Sequence, residues 1–139
     1  MSTISTTSND IVYVQAAQET VSGSADIKAG SAGIDQNVAT DALVNTLPKI
    51  EAGNLGLTFL FRNTGADGNN TITLSPNAAD AIHGTIANSA ADSVAGGVVN
   101  KDFVNTKATA NKGDYVILRA VALTEWYIIG GVGIWASEA

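Results

Sequence analysis

Apolar and polar residues alternate in short runs along most of this chain, and no stretch keeps a helical period. The clearest run is residues 55–61. Phe59 and Phe61 fall on one face of an extended strand there, and Leu60 falls on the other. Alternation with a period of two is typical of β-strands. Because both faces of this run are apolar, we expect it to be a central strand of a sheet.

Further strand patterns recur at intervals of roughly 8–12 residues. They are residues 11–16, 41–49, 71–74, 103–109, 115–121 and 126–129. Asp67-Gly68 predicts a tight hairpin turn between two of these strands, because both residues tolerate turn geometry. The last two strands predict an antiparallel meander, ended by Gly130-Gly131. About eight short strands favour an all-β fold, an antiparallel β-sandwich or a jelly-roll-like domain.

The N-terminal residues differ in character from the rest of the chain. Residues 1–10 are polar and rich in Ser and Thr, which predicts a flexible N-terminal arm. Residues 11–139 predict a single β-rich domain, since 139 residues suffice for one core. Within it, residues 85–100 are rich in Ala, Ser and Asn and predict an exposed loop.

Composition narrows the classes of partner. Apolar residues make up 45% of the chain and charged residues only 14%, which is below the usual ~25%. A surface with so few charges suits extended contact with other proteins. The net charge is −6 and the cations are scattered, so we expect no nucleic-acid binding. No apolar stretch approaches the length of a membrane span, so we expect no membrane insertion.

Two groups of polar residues invite a chemical interpretation. His83, Asp80 and Ser75 could be imagined as a catalytic triad, but Ser75 lacks the strained, exposed setting that a nucleophile needs. Residues 67–70 offer oxygen ligands, but the further carboxylates of a calcium loop do not follow. The chain has no Cys and one His, which disfavours a zinc site. We therefore expect no enzymatic activity, no metal and no cofactor.

The aromatic residues are the candidate binding residues. Alternation places Trp126 and Tyr127 on opposite faces of one strand, so one faces a core and the other is available to a partner. The candidate protein-interface residues are Ile11, Tyr13, Trp126, Tyr127 and Trp135. Two alternatives stay open for the aromatic residues: they belong to the core, or they form a platform on which a carbohydrate stacks.

Several short motifs, taken in order, resemble one known group of proteins. The motifs are Thr46-Leu47-Pro48, Gly53, Leu57-Thr58-Phe59, Asn63, Ile72-Thr73-Leu74-Ser75-Pro76, Asp80-Ala81-Ile82-His83-Gly84, Gly113-Asp114-Tyr115-Val116-Ile117-Leu118, Trp126-Tyr127-Ile128 and Gly133-Ile134-Trp135. This order resembles the β-rich, usually trimeric modules of bacteriophage capsid decoration (cement) proteins, head fibres and tail fibres. The resemblance covers residues 41–136, and the first 40 residues lie outside it.

The resemblance implies a structural function in the virion. A decoration protein would bind the major capsid protein on the surface of the assembled head and stabilise the shell. The resemblance also implies a homotrimer, made in the host cytoplasm, with the N-terminal arm reaching over the shell or a neighbouring subunit. The alternative is a head- or tail-fibre module that binds a receptor or a glycan.

Overall fold

The described part of the chain is built from β-strands. The computed structural model describes residues 17–139. Among these residues there are twelve strands and two single 3-10 turns, at Ala29–Ser31 and Ala52–Asn54, and no α-helix. The strands form two sheets that share one core. The prediction of an all-β, sandwich-like fold is therefore confirmed.

Seven strands form the larger sheet and five the smaller. In spatial order, the seven-stranded sheet contains β1 (Gln18–Val21), β3 (Asp35–Val38), β5 (Thr58–Asn63), β10 (Tyr115–Ala122), β11 (Glu125–Val132), β7 (Ala81–Ile86) and β8 (Ser93–Gly96). The five-stranded sheet contains β12 (Ala136–Ser137), β9 (Phe103–Asn105), β6 (Ile72–Ser75), β4 (Leu43–Thr46) and β2 (Ala25–Asp26).

From β1 to β6 the chain passes from one sheet to the other after every strand. In the seven-stranded sheet β1, β3 and β5 lie parallel to one another, and in the five-stranded sheet β2, β4 and β6 do the same. Residues 18–75 thus form a coil in which each turn contributes one strand to each sheet. We call this segment the parallel coil. Both sheets are mixed, whereas antiparallel pairing was predicted from the sequence.

The Asp67-Gly68 segment shows why that expectation was wrong. It was predicted to be a hairpin turn, but it connects β5 in one sheet to β6 in the other. Packed sheets lie about 10 Å apart, which a tight hairpin turn cannot span. Its ends are instead held by Asn63 and Asn70, which are fully buried and hydrogen-bonded, with Asn63 Nδ2 donating to the Asn70 carbonyl at 3.4 Å.

The C-terminal half completes the larger sheet by antiparallel pairing. Strand β10 pairs with β5 on one side and with β11 on the other, so the predicted meander at β10–β11 is confirmed. Gly130 and Gly131 were predicted to end this strand, but β11 continues through both of them to Val132. A Cβ at Gly131 would lie 2.7 Å from the Ile86 side chain and 2.9 Å from the Tyr115 carbonyl oxygen. Glycine therefore lets the neighbouring strands approach closely without interrupting the strand.

Residues 85–100 also differ from the prediction of an exposed loop. They include the end of β7 and all of β8, which pair antiparallel. Ser93 in β8 is buried and its hydroxyl accepts a hydrogen bond from the backbone N–H of Trp135 at 2.9 Å. This bond secures a strand that its own small and polar residues do not favour.

Aromatic rings fill the centre of the core. Trp126 packs against Phe59, with ring centroids 5.8 Å apart, and Trp135 stacks on Phe103 at 5.6 Å. Burial of such rings dominates the hydrophobic stabilisation of a small domain. Each pair combines residues that are distant in the sequence, so these contacts form only when the chain has folded back on itself.

A buried polar network connects the two sheets on one side of this core. Asn105 in β9 accepts a hydrogen bond from Asn63 Nδ2 in β5 at 3.0 Å. Its own amide donates to Asp114 Oδ2 and to the Ile134 carbonyl, both at 3.0 Å. Because buried polar groups are costly unless they are hydrogen-bonded, these bonds fix one register of the two sheets. We call Asn63, Asn70, Asn105 and Asp114 the inter-sheet network.

Candidate interaction surface

The outer face of the seven-stranded sheet presents apolar side chains to solvent. Phe59, Phe61, Val116 and Leu118 point into the core. The residues between them therefore point outward, because side chains alternate along a strand. We call the following residues the outer sheet face: Leu60, Arg62, His83, Tyr115, Ile117, Tyr127, Ile129 and Val132.

The strand register aligns these residues in rows across the sheet. Leu60 lies opposite Ile117, and Arg62 lies opposite Tyr115. Ile129 is the extra residue of a β-bulge in β11, since Ile117 pairs with Gly130 and the next residue of β10 pairs with Ile128. Ile129 is 47% exposed and Val132 is 50% exposed. The middle of the outer sheet face is therefore apolar and accessible.

Charged residues lie towards the margins of this face, and most have partners. Arg62 forms an ion pair with Asp35 at 3.1 Å, and its guanidinium lies 6.0 Å from the centroid of the Tyr115 ring. Arg119 donates from Nε to the Thr58 hydroxyl at 2.9 Å. An apolar centre with a polar rim is the arrangement that protein–protein interfaces have.

At one margin, His83, Tyr127 and Glu125 form a cluster. The parallel pairing of β7 and β11 places His83 directly opposite Tyr127, and their rings stack with centroids 5.2 Å apart and an angle of 14°. The Tyr127 hydroxyl donates to Glu125 Oε2 at 3.1 Å, and Glu125 Oε1 lies 3.9 Å from His83 Nε2. The carboxylate thus holds the Tyr127 ring upright on the sheet, and His83 stacks against that ring.

The imidazole of His83 also lies over Gly97. A Cβ at Gly97 would be 2.3 Å from His83 Cε1, and the positive φ of 71° further favours glycine there. His83 is consequently enclosed between the Tyr127 ring and the backbone of Gly97. Of the two stacked rings, only one face of Tyr127 remains for a ligand, which is a small platform for a sugar.

Glu125 raises the pKa of Tyr127 above the ordinary value of 10.0, mainly because its carboxylate accepts the phenolic hydrogen bond. The folded protein therefore holds this proton more tightly than the unfolded chain does. The resulting stabilisation is complete below the unfolded pKa and is lost as the pH rises through the folded pKa.

We expect the Glu125→Gln substitution to lower the pKa of Tyr127, because it removes the negative charge that opposes ionisation of the phenol. The measurement is an NMR titration of the Tyr127 ring between neutral and alkaline pH. Glu51→Gln, at an exposed position far from this ring in the sequence, is the control and should leave the titration unchanged. An unaltered Tyr127 titration in the Glu125 variant would contradict the assignment of the cause.

The structure separates the candidate interface residues into three groups. Trp126 is 0% exposed and Trp135 is 2% exposed, so both belong to the core, and the expectation that they lie in an interface is corrected. Trp126 points inward, where its ring packs against Phe59. Tyr127, on the opposite side of that strand, does lie on the outer sheet face. Ile11 and Tyr13 lie outside the described residues.

The polar residues that invited a chemical interpretation have structural partners. Asp80 is fully buried, and its Oδ2 accepts a hydrogen bond from the backbone N–H of Ile50 at 3.1 Å. Asp67 Oδ1 accepts one from the backbone N–H of Lys112 at 2.7 Å. Both carboxylates therefore hold loops in place. Residues 17–139 contain no group of three or more side chains placed to bind a metal ion.

The residues that sequence reasoning missed are the apolar ones on the outer sheet face. Leu60 was predicted to lie in a central strand and Ile117 in a strand of the meander, and in the structure both are only half-buried, on the outer sheet face. The signal that could have revealed them is the same apolar occupancy of both strand faces, which is also typical of strands that bind a partner.

Across residues 17–139, no helix has the length and apolar character to span a bilayer.

Comparison with known proteins adds no relationship to this description. No protein-family model matches the chain, and no curated protein matches it either. The outer sheet face is therefore described by its own geometry: an apolar centre on β5, β10 and β11, margins of paired charges, and a tyrosine held upright by Glu125.

Proposed function

We propose that this protein is a virion structural protein, a capsid decoration protein that binds the assembled phage head. The observation that carries the proposal is the outer sheet face, which is apolar across β5, β10 and β11 and has a margin of paired charges. A surface of this composition favours burial against another protein. The resemblance of residues 41–136 to phage decoration and fibre modules supports the choice of partner.

The proposed mechanism is linkage between binding and shell stability. A protein that binds the assembled shell of the major capsid protein, and not its separated subunits, stabilises the shell by mass action. A homotrimer would present three outer sheet faces at once, so contacts that are weak singly become tight together. In this proposal the protein resides on the capsid surface, after synthesis in the host cytoplasm.

The test is co-sedimentation of the protein with capsids stripped of surface proteins. We expect saturable binding at a fixed ratio to the major capsid protein, and capsids that resist higher temperatures. The Ile129→Asp substitution should weaken this binding at least about tenfold, because it places a charge in the apolar centre of the face. Ile129 is half exposed, so the variant should fold normally.

Val44→Asp is the matched control, since Val44 is also exposed but lies in the five-stranded sheet. It should bind capsids as the unchanged protein does. A variant lacking residues 2–9 tests whether the polar N-terminal residues contribute to attachment. If the unchanged protein does not bind capsids, the decoration proposal fails. Binding to host cells or glycans would then favour a fibre module, with the open face of Tyr127 as its contact.

A further inference from the structure

Two lysines that are distant in sequence lie at the same end of the five-stranded sheet. Strands β2, β4 and β6 run parallel, and Asp26 at the end of β2 pairs with Thr46 at the end of β4. The chain therefore leaves both strands at the same end of the sheet. Lys28 follows β2 by two residues, and Lys49 follows β4 by three. The parallel coil thus brings both residues to one region of the surface.

Both lysines line a cleft of about 330 Å³, which we call the lysine cleft. Its lining also includes Asp26, Asn77 and the apolar residues Ile27, Leu47 and Pro48. Part of the wall is therefore apolar. Every residue that lines the cleft lies between positions 26 and 77, within the described part of the chain. The volume is at the lower end of the range of small-molecule sites.

The lysine cleft concentrates cations that have no partner within residues 17–139. Of the seven cations, those with a partner are Arg62 with Asp35, Lys107 with Asp41, Lys101 with the Ala139 carbonyl oxygen and Arg119 with the Thr58 hydroxyl. The ammonium groups of Lys28, Lys49 and Lys112 form no ion pair or hydrogen bond with any of residues 17–139. Two of these three line one cleft, in a protein whose net charge is −6. A local excess of positive charge attracts anions.

Hydrogen bonds fix the backbone that carries the two lysines. The Lys28 carbonyl accepts a hydrogen bond from the backbone N–H of Ser31 at 3.0 Å. The Lys49 carbonyl accepts one from Asn54 Nδ2 at 3.2 Å. The backbone positions of both lysines are therefore set before a ligand arrives, which lowers the entropic cost of binding.

The other polar groups of the cleft restrict the kind of anion that fits. Asp26 supplies a carboxylate, which accepts hydrogen bonds and repels a bare anion. Asn77 Oδ1 accepts a hydrogen bond from the backbone N–H of Ala79 at 3.5 Å, and the Asn77 Nδ2 donors are left for a ligand. A ligand that satisfies both lysines and Asp26 carries a negative group together with hydroxyl donors. An acidic sugar has both, and the CH groups of its ring suit the apolar part of the wall.

We propose that the lysine cleft binds an acidic sugar unit, with its carboxylate or phosphate group between the ammonium groups of Lys28 and Lys49. Charge-assisted hydrogen bonds from the two ammonium groups supply most of the affinity. Hydroxyl groups of the sugar donate to the Asp26 carboxylate and accept from Asn77. The cleft adjoins the five-stranded sheet and shares no residue with the outer sheet face, so this proposal does not depend on the proposed function.

An NMR titration of the isotope-labelled full chain tests the proposal. The probes are glucuronate and glucose-6-phosphate, with glucose and inorganic phosphate as matched controls. We expect at least one acidic sugar to bind saturably and to shift the amide signals of residues 26–29, Lys49 and Asn77. Glucose and inorganic phosphate should each bind at least about tenfold more weakly, because each lacks part of the recognised set of groups.

Substitution of the lysines tests which residues hold the anion. Lys28→Gln and Lys49→Gln should each weaken binding of the acidic sugar about threefold, and together about tenfold, because each removes one ammonium group that pairs with the anion. Lys112→Gln is the matched control, since Lys112 is also exposed but does not line the cleft. It should bind the sugar as the unchanged protein does. All three lysines are exposed, so the variants should fold normally, which circular dichroism checks.

Binding of glucuronate alone or of glucose-6-phosphate alone supports the proposal and identifies the anionic group. Absence of saturable binding by both acidic sugars overturns it. Equal affinity for inorganic phosphate also overturns it, since the cleft would then hold any small anion. Equal affinity for glucose would show that the lysines are not used. Signals that shift on the outer sheet face, around Tyr127, and not in the cleft would place the sugar at the wrong site and overturn the proposal.

Discussion

Replacing Trp126 by alanine is expected to lower the free energy of unfolding by about 3–5 kcal/mol. The side chain is fully buried and packs against Phe59 between the two sheets. Its removal leaves a cavity that the surrounding strands, fixed by their hydrogen bonds, can fill only in part. Urea denaturation followed by circular dichroism measures the loss, and a change below about 1 kcal/mol would contradict this account of the core.

Trp126→Phe separates the ring from its polar atom. The indole Nε1 is buried and finds no hydrogen-bond partner among the described residues. An unsatisfied buried donor costs about 1–3 kcal/mol. Phenylalanine removes that cost while keeping one aromatic ring beside Phe59, so we expect the phenylalanine variant to lose much less stability than the alanine variant. Equal losses in the two variants would mean that Nε1 is hydrogen-bonded after all.

The second large effect is expected at Asn105, the central residue of the inter-sheet network. Asn105→Ala should destabilise the protein by about 3 kcal/mol, because it removes the Asn105 acceptor of Asn63 Nδ2, removes the side-chain donor to the Ile134 carbonyl, and weakens the hydrogen bonding of the buried Asp114 carboxylate. The measurement is again urea denaturation. Asn111→Ala is the control and should cost below about 0.5 kcal/mol, because Asn111 is exposed and donates to Asp114 from its backbone N–H, which the substitution keeps.

Asn105→Asp tests the electrostatic part of this prediction. It keeps the shape of the side chain but places a second carboxylate beside Asp114, where an amide now donates to Asp114 Oδ2. Two adjacent buried carboxylates cannot both ionise without a large cost. We expect this variant to be less stable than Asn105→Ala at pH 7 and to recover part of the difference as the pH is lowered, because protonation of one of two adjacent carboxyls removes the repulsion between them. Identical pH profiles for the two variants would contradict this.

Local patterns in the sequence predicted the strands whose residues alternate strongly. The apolar faces around Phe59 and along residues 115–121 correctly placed β5 at the centre of a sheet and β10 in a meander with β11. Strand β3 was missed because Asp35-Gln36-Asn37 contains residues that disfavour strands. It forms because it pairs with β1 and β5 and buries Val38, which are contacts distant in sequence.

Sheet assignment could not be read from local patterns for the same reason. A parallel coil pairs each strand with the next but one, so adjacent strands in sequence are not neighbours in a sheet.

Prediction of the candidate surface from the sequence was incomplete for a different reason. Alternation correctly separated Trp126 from Tyr127, but it could not indicate which of the two faces inward. Large aromatic residues are enriched both in cores and in interfaces, so residue type alone could not decide between them.

The parallel coil also has a consequence for the rate of folding. Strand β5 lies against β10, almost half the chain away, and its other neighbour β3 is reached only by way of the opposite sheet. Each such pairing requires a long loop to close, which costs conformational entropy before any stabilising contact forms. This cost slows folding. Among the strands of residues 17–139, only β10 with β11 and β7 with β8 pair with a strand adjacent in sequence. Refolding should therefore take milliseconds to seconds, the range of β-rich domains, with the β10–β11 hairpin as the earliest element to gain protection.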